Sequence, residues 1–263
     1  MMPRNYRGSQ KHVLDLLDSG GNGLATLNSL FHNFNVNIAP TDTVRPSGRV
    51  APKEFYLPQF CTEFCQGRFN FTPLVNWWVP SPWRPPTWDL ISTCEVNGKF
   101  GIVLVEAKAH ENEFDWGGKS LKPHPSLGSK RNHSQISGCI REVQMALQPA
   151  FDGQFGLSID SHYQLTNRVA HLWKLATCGI PVVLVYLGFV GDSGIEASYF
   201  RNDEHWQRAM GGYAQGVVPH LFFNSFHSVA NQGSMLMLSR SLAVQSVSVA
   251  SPQSDETLNS SEE

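Results

Sequence analysis

The sequence predicts one α/β domain over residues 1–235, with a mixed central β-sheet flanked by helices. Three observations predict it. Two β-prone runs, residues 88–96 and 99–108, are joined by Asn97-Gly98. Two stretches of helical period come next, and a wholly apolar run at 182–189 closes the series. A chain of 263 residues with 41% hydrophobic content is long enough to bury one large core.

The elements follow in order. Residues 10–17 form a first helix, because Val13, Leu14, Leu16 and Leu17 share one side and Gly20-Gly21 stops it. Residues 36–52, with Pro40, Pro46 and Pro52, read as a loop, and 58–65 as a short helix whose Pro58 is tolerated in the first turn. The proline- and tryptophan-rich stretch 76–86 must run extended or in turns. Asn97-Gly98 specifies a two-residue type I′ hairpin, since both central positions need positive φ. Residues 117–132 are a Gly-, Lys-, Pro- and Ser-rich loop and 134–147 a helix. A second helix, 162–177, has Leu165, Val169, Leu172 and Ala176 on one stripe and ends at Gly179-Ile180-Pro181. Residues 182–189 make a buried strand and 203–210 a short helix. Residues 236–263, serine-rich and then acidic, read as a disordered tail.

Composition narrows the class. Cys61, Cys65, Cys94, Cys139 and Cys178 are odd in number and scattered, which fits reduced thiols. No apolar run reaches the roughly 18 residues of a membrane helix, and the N-terminus lacks a signal-peptide core, so a soluble cytoplasmic protein is expected. The formal charge is -2, but the last 13 residues carry four acids and no base, so residues 1–250 stand at +2. Between Lys119 and Arg141 lie Lys122, Lys130 and Arg131 and no acid. That basic segment, Lys119, Lys122, Lys130 and Arg131 above all, suits nonspecific contact with phosphates.

The hairpin also carries the chemistry. With the turn at Asn97-Gly98, cross-strand partners are Val96 with Lys99 and Cys94 with Gly101, and the ladder carried down brings Asp89 opposite Glu106. Directly opposed residues share a face, so two carboxylates meet. Lys108 lies two residues beyond Glu106 on the same face, with Thr87 opposite. Ile91, Ile102 and Leu104 on one side and Leu90, Val103 and Val105 on the other make the hairpin central and covered twice. Burying two carboxylates together is unfavourable by several kcal/mol unless a cation compensates. An all-oxygen donor set points to Mg²⁺ or Mn²⁺, with Lys108 placed to orient or deprotonate water. Glu-x-Lys alone is no more than a salt-bridged strand end; the opposition to Asp89 is what lifts it.

Pro86-Thr-Trp-Asp89, followed by a hydrophobic strand ending Val105-Glu-Ala-Lys108, resembles the PD-(D/E)XK nuclease superfamily over about 25 residues. Two residues separate Pro86 from Asp89 where the motif has none. More loosely, the order hairpin, helix, helix, strand is similar to the restriction-endonuclease-like core. The resemblance implies a metal held by Asp89, Glu106 and the Ala107 carbonyl, a catalytic Lys108, and phosphodiester hydrolysis. DNA is the expected substrate, in repair, restriction or mobile-element processing. Glu63 or Glu54 would supply the further upstream acid that many members carry.

Other polar residues adjoin this centre. Tyr163, Gln164, Asn167, Arg168 and His171 make a polar stripe on the second helix, similar to the glutamine-bearing helix after the catalytic strand in RecB-type relatives. His110 continues the parity of Glu106 and Lys108. Gly191-Asp-Ser-Gly194 has the spelling of a serine-protease motif, but the α/β pattern gives it no such role. A rival expectation keeps the fold and drops the catalysis: a nucleic-acid-binding or assembly module whose acids are a relic. Near-neutral total charge suggests that a protein partner or a particular DNA structure adds affinity.

Overall fold

The computed structural model describes residues 6–80, 84–152, 154–195, 198–229 and 233–244. It is α/β, with a mixed sheet between two helical layers. Helices α1 (Gly8–Asp18) and α2 (Gly21–Ser29) open the chain, then short strands β1 (Val36–Asn37), β2 (Val44–Arg45) and β3 (Phe55–Tyr56), helix α3 (Leu57–Phe64) and strand β4 (Thr87–Trp88). The hairpin is β5 (Leu90–Val96) and β6 (Lys99–Lys108). After it come α4 (Leu127–Leu147), α5 (Tyr163–Ala176), β7 (Pro181–Val190), α6 (Asp203–Ala214), β8 (Phe226–Ser228) and β9 (Ser234–Ala243).

The main sheet runs β1-β5-β6-β7-β9-β8, with β2 also on β5, and β3 pairs β4 apart from it. The register of β5 with β6 is the expected one, from Val96 with Lys99 to Leu90 with Val105. Asn97 and Gly98 sit at φ 50° and 76°, the backbone that selects Asn-Gly. Strand β7 runs parallel to both β6 and β9, so α4, α5 and α6 are crossover helices.

Both faces of the hairpin are covered. Ile91, Ile102 and Leu104 join a core with Ile140 and Val143 of α4 and Leu165, Val169 and Leu172 of α5. Leu90, Val103 and Val105 face Val13 of α1 and Leu27 of α2. Each such side chain contributes roughly 1.5–3 kcal/mol on burial, which makes β6 and β7 the rigid centre. All five cysteines are free, and among the described residues no helix is long and apolar enough to cross a membrane.

Three expectations need correction. Gly20-Gly21 ends α1 but also starts α2, nine residues long, because Leu24 and Leu27 find the sheet. The expected loop 117–132 is helical from Leu127, since the Ser126 hydroxyl accepts the Ser129 N–H at 3.1 Å and caps the helix; Lys130 and Arg131 are therefore helical residues. The predicted tail begins too early: residues 236–243 belong to β9, a core strand paired along its length with β7. Its serines gave the polar look, yet the Ser239 hydroxyl donates to Gln207 at 2.9 Å and Ser241 to Asp203 at 2.7 Å, both on α6. Residues 245–263, the acidic part of that expected tail, lie outside the described residues.

Candidate active site

Glu106 and Lys108 are the last inward residues of β6, 2% and 4% exposed. The two-residue strand period puts both on the face that carries Leu104 and, from β7, Tyr186, the register partner of Glu106. Lys108 Nζ donates to Glu106 Oε1.

Asp89 reaches this end of the hairpin by a different path from the expected one. The β5–β6 ladder stops at Leu90–Val105, the chain bends at Asp89, and Thr87 pairs with Tyr56 of β3, not with Lys108. Asp89 Oδ2 instead accepts the backbone N–H of Ala107 at 2.7 Å, between Glu106 and Lys108. Its Oδ1 has no hydrogen-bond partner among the described residues. The carboxylates thus converge without facing each other across a rung.

Arg168 closes the cluster from α5. Its Nε donates to Glu106 Oε2 at 2.6 Å, Nη2 to the Thr87 carbonyl at 2.8 Å and Nη1 to Asn167 Oδ1 at 3.1 Å. The guanidinium lies 4.3 Å from the Trp88 ring centroid. Burial pushes the Glu106 carboxyl up, but Arg168 and then Lys108 outweigh it and hold the group below the usual carboxylate range. Burial and the neighbouring Glu106 push Asp89 up to about 7, against Lys108 and the Ala107 N–H. Lys108 and Arg168 thus supply the compensating charge at Glu106 that the sequence had assigned to a divalent ion.

The other expected residues separate into two groups. Gln164, Asn167, Arg168 and Lys119 line a cleft of about 360 Å³ beside the cluster, with Arg84 and Thr87 on its other wall. Gln164 Oε1 is buried there without a partner among the described residues. Lys119 Nζ sits 5.2 Å from the Tyr163 ring centroid. Glu63 is exposed on α3 and accepts from Gln59, a pairing that keeps it out of the cluster. Glu54 is the upstream acid whose charge is felt at Asp89. His110 bridges to Tyr199 and lies 3.6 Å from Glu113, which in turn accepts the Ala109 and Ser9 N–H groups. Lys122, Lys130 and Arg131 are exposed and do not line the cleft.

Two participants were missed. The Tyr186 hydroxyl and Trp88 Nε1 are buried and without partners among the described residues. A tyrosine inside the aliphatic run of β7 was the legible signal for the first, since polar groups are rarely placed there without use.

The donor set available to a metal is Asp89 Oδ1, Glu106 and the Ala107 carbonyl. It is all-oxygen, which suits Mg²⁺ or Mn²⁺, and sparse, which suits an ion that keeps several of its waters. Among the described residues no group of three or more His, Cys, Asp or Glu side chains is placed to hold a metal. An ion there would share Glu106 with Lys108 and Arg168.

Compared with known protein families, with curated proteins and with solved structures, the chain matches none of them.

Proposed function

We propose that this chain is a Mg²⁺- or Mn²⁺-dependent nuclease with a restriction-endonuclease-like core, hydrolysing phosphodiester bonds of DNA in the cytoplasm. One observation carries the reading. A buried Glu106-Ala-Lys108 at the end of a central strand has Asp89 on its middle amide and opens beside a cleft bearing Arg84, Lys119 and Arg168. Structural ion pairs are seldom built this way, since a buried pair adds little net stability over apolar packing.

Asp89, Glu106 and the Ala107 carbonyl would hold the ion. When bound, it supplies a Lewis acid for a phosphate oxygen and a more acidic water. The chain's own residues do the rest. Arg168 and Lys119 bring the phosphate to the cleft. Lys108, oriented by Glu106, faces the charge that grows on phosphorus oxygens as water adds and the leaving oxygen departs. Gln164, whose Oε1 has no partner among the described residues, accepts a hydrogen bond from water or substrate.

A second reading has its own observation. Both Glu106 oxygens are already engaged, by Lys108 and Arg168, which is what a noncatalytic nucleic-acid-binding or assembly module would need. One experiment separates the two: labelled DNA and RNA, single- and double-stranded, incubated with Mg²⁺ or Mn²⁺ and native protein, Asp89→Ala or Lys108→Ala. Metal-dependent cutting that both substitutions abolish supports the nuclease. No cutting, with no calorimetric Mn²⁺ binding, supports the module.

A further inference from the structure

The cleft has one feature that phosphate binding leaves unused. Trp116 is 54% exposed, the only aromatic among the large hydrophobic side chains exposed on the described residues. Scattered exposed apolar residues are ordinary, but this one lies on a firmly held segment that borders the cleft through Asp115 and Lys119.

Three backbone hydrogen bonds pin its segment against the start of α5. The Trp116 carbonyl accepts the His162 N–H at 3.1 Å, Gly117 accepts that of Tyr163 at 2.9 Å, and the Lys119 N–H reaches Ile159 at 2.7 Å. Gly118 passes so close to Asp160 that a Cβ there would lie 2.2 Å from its carbonyl oxygen. The indole is braced edge-on by His162 and Tyr213, each 5.2 Å away between ring centroids. Asp115, just before it, and Lys119, three residues after it, line the cleft. Lys122 follows, exposed and unpaired among the described residues.

An exposed, pre-ordered indole on the same segment as Lys119 is a stacking platform. Every nucleobase has a π-face to lay on it, and only an unpaired base has that face free. A cleft of about 360 Å³ is at the small end of small-ligand sites, about the size of a nucleotide. We propose that the substrate enters as a single strand, with an unpaired base stacked on Trp116 and its phosphate led by Lys119 toward Arg168. This inference rests on the nuclease reading for the fate of the strand, though not for its binding.

The test is fluorescence anisotropy in EDTA, where nothing is cut, with a labelled oligodeoxyuridylate, the matching oligouridylate and a duplex of equal length. The native protein is expected to bind a single strand at least tenfold more tightly than the duplex. Trp116→Ala should weaken single-strand binding about tenfold and leave the duplex unchanged, while Trp116→Phe retains most of the affinity. Lys119→Gln should lower the salt dependence by about one counterion. Whichever of the two single strands binds more tightly identifies the sugar, and either supports the platform. Equal binding by native protein and Trp116→Ala, or a duplex bound as tightly as the single strand, overturns it. The two readings fail separately. A protein that binds through Trp116 yet cuts nothing with Mg²⁺ or Mn²⁺ keeps the platform and loses the nuclease. One that cuts duplex through Lys108, with Trp116→Ala fully active, keeps the nuclease and loses the platform.

Discussion

Replacing Arg168 with Met keeps most of the unbranched apolar stem and removes the charged guanidinium, which isolates what that group does for Glu106. Three hydrogen bonds are lost, to Glu106, Thr87 and Asn167, together with the contact to Trp88. Removing one partner of a buried ion pair costs about 3–5 kcal/mol, because the other charge stays buried. Lys108 remains on the second Glu106 oxygen, so the lower figure applies. For a domain of this size about 3 kcal/mol lowers Tm by roughly 6–12 °C. A divalent ion should return part of that loss by taking the place of the missing charge: at a hundred times its Kd it contributes about 2.7 kcal/mol. Arg168→Met should therefore gain more from Mn²⁺ than the native protein, in which Arg168 competes for the same oxygen. Chemical denaturation followed by circular dichroism, with and without MnCl₂, measures both quantities. A loss below about 1 kcal/mol would refute the buried ion triad. Equal Mn²⁺ gains in the two proteins, or none, would remove Glu106 from the ion site.

Other perturbations read other parts of the molecule. Buried His171 is pushed down to about 4 by desolvation and stays neutral, whereas Asp89 is pushed up to about 7. Between roughly pH 4 and 6.5 the unfolded chain takes a proton at His171 that the native state refuses, and the native state holds one at Asp89 that the unfolded chain releases. The two slopes oppose, so Asp89→Asn should unmask the histidine: its stability, measured by urea titration across that window, should rise with pH by up to about 1.4 kcal/mol per pH unit relative to native. An unchanged difference would contradict the raised Asp89. Gly188→Ala puts a Cβ 2.3 Å from the Trp206 ring and should destabilise by about 1–3 kcal/mol in a thermal melt. A chain ending at residue 235 lacks all but the first two residues of β9 and should give no cooperative unfolding transition, because β7 would lose its partner along eight of ten residues.

Local patterns in the sequence were enough for the hairpin, its register and its doubly buried character. Asn-Gly permits one tight turn, and a period of two then assigns every side chain to a face. The same arithmetic brought Glu106 and Lys108 together, and helical spacing put Gln164, Asn167 and Arg168 on one stripe of α5. Tertiary structure alone decided the rest. The bend at Asp89 arises because β4 pairs with β3, 31 residues away in sequence at Tyr56 and Thr87, and no local rule sees that partner. Arg168 meets Glu106 across 62 residues, so the charge that neutralises the acids was invisible beside the motif itself. Residues 236–243 looked like a tail because a serine's polarity is read without its acceptor. Once Gln207 and Asp203 of α6 satisfy those hydroxyls, the strand can be buried.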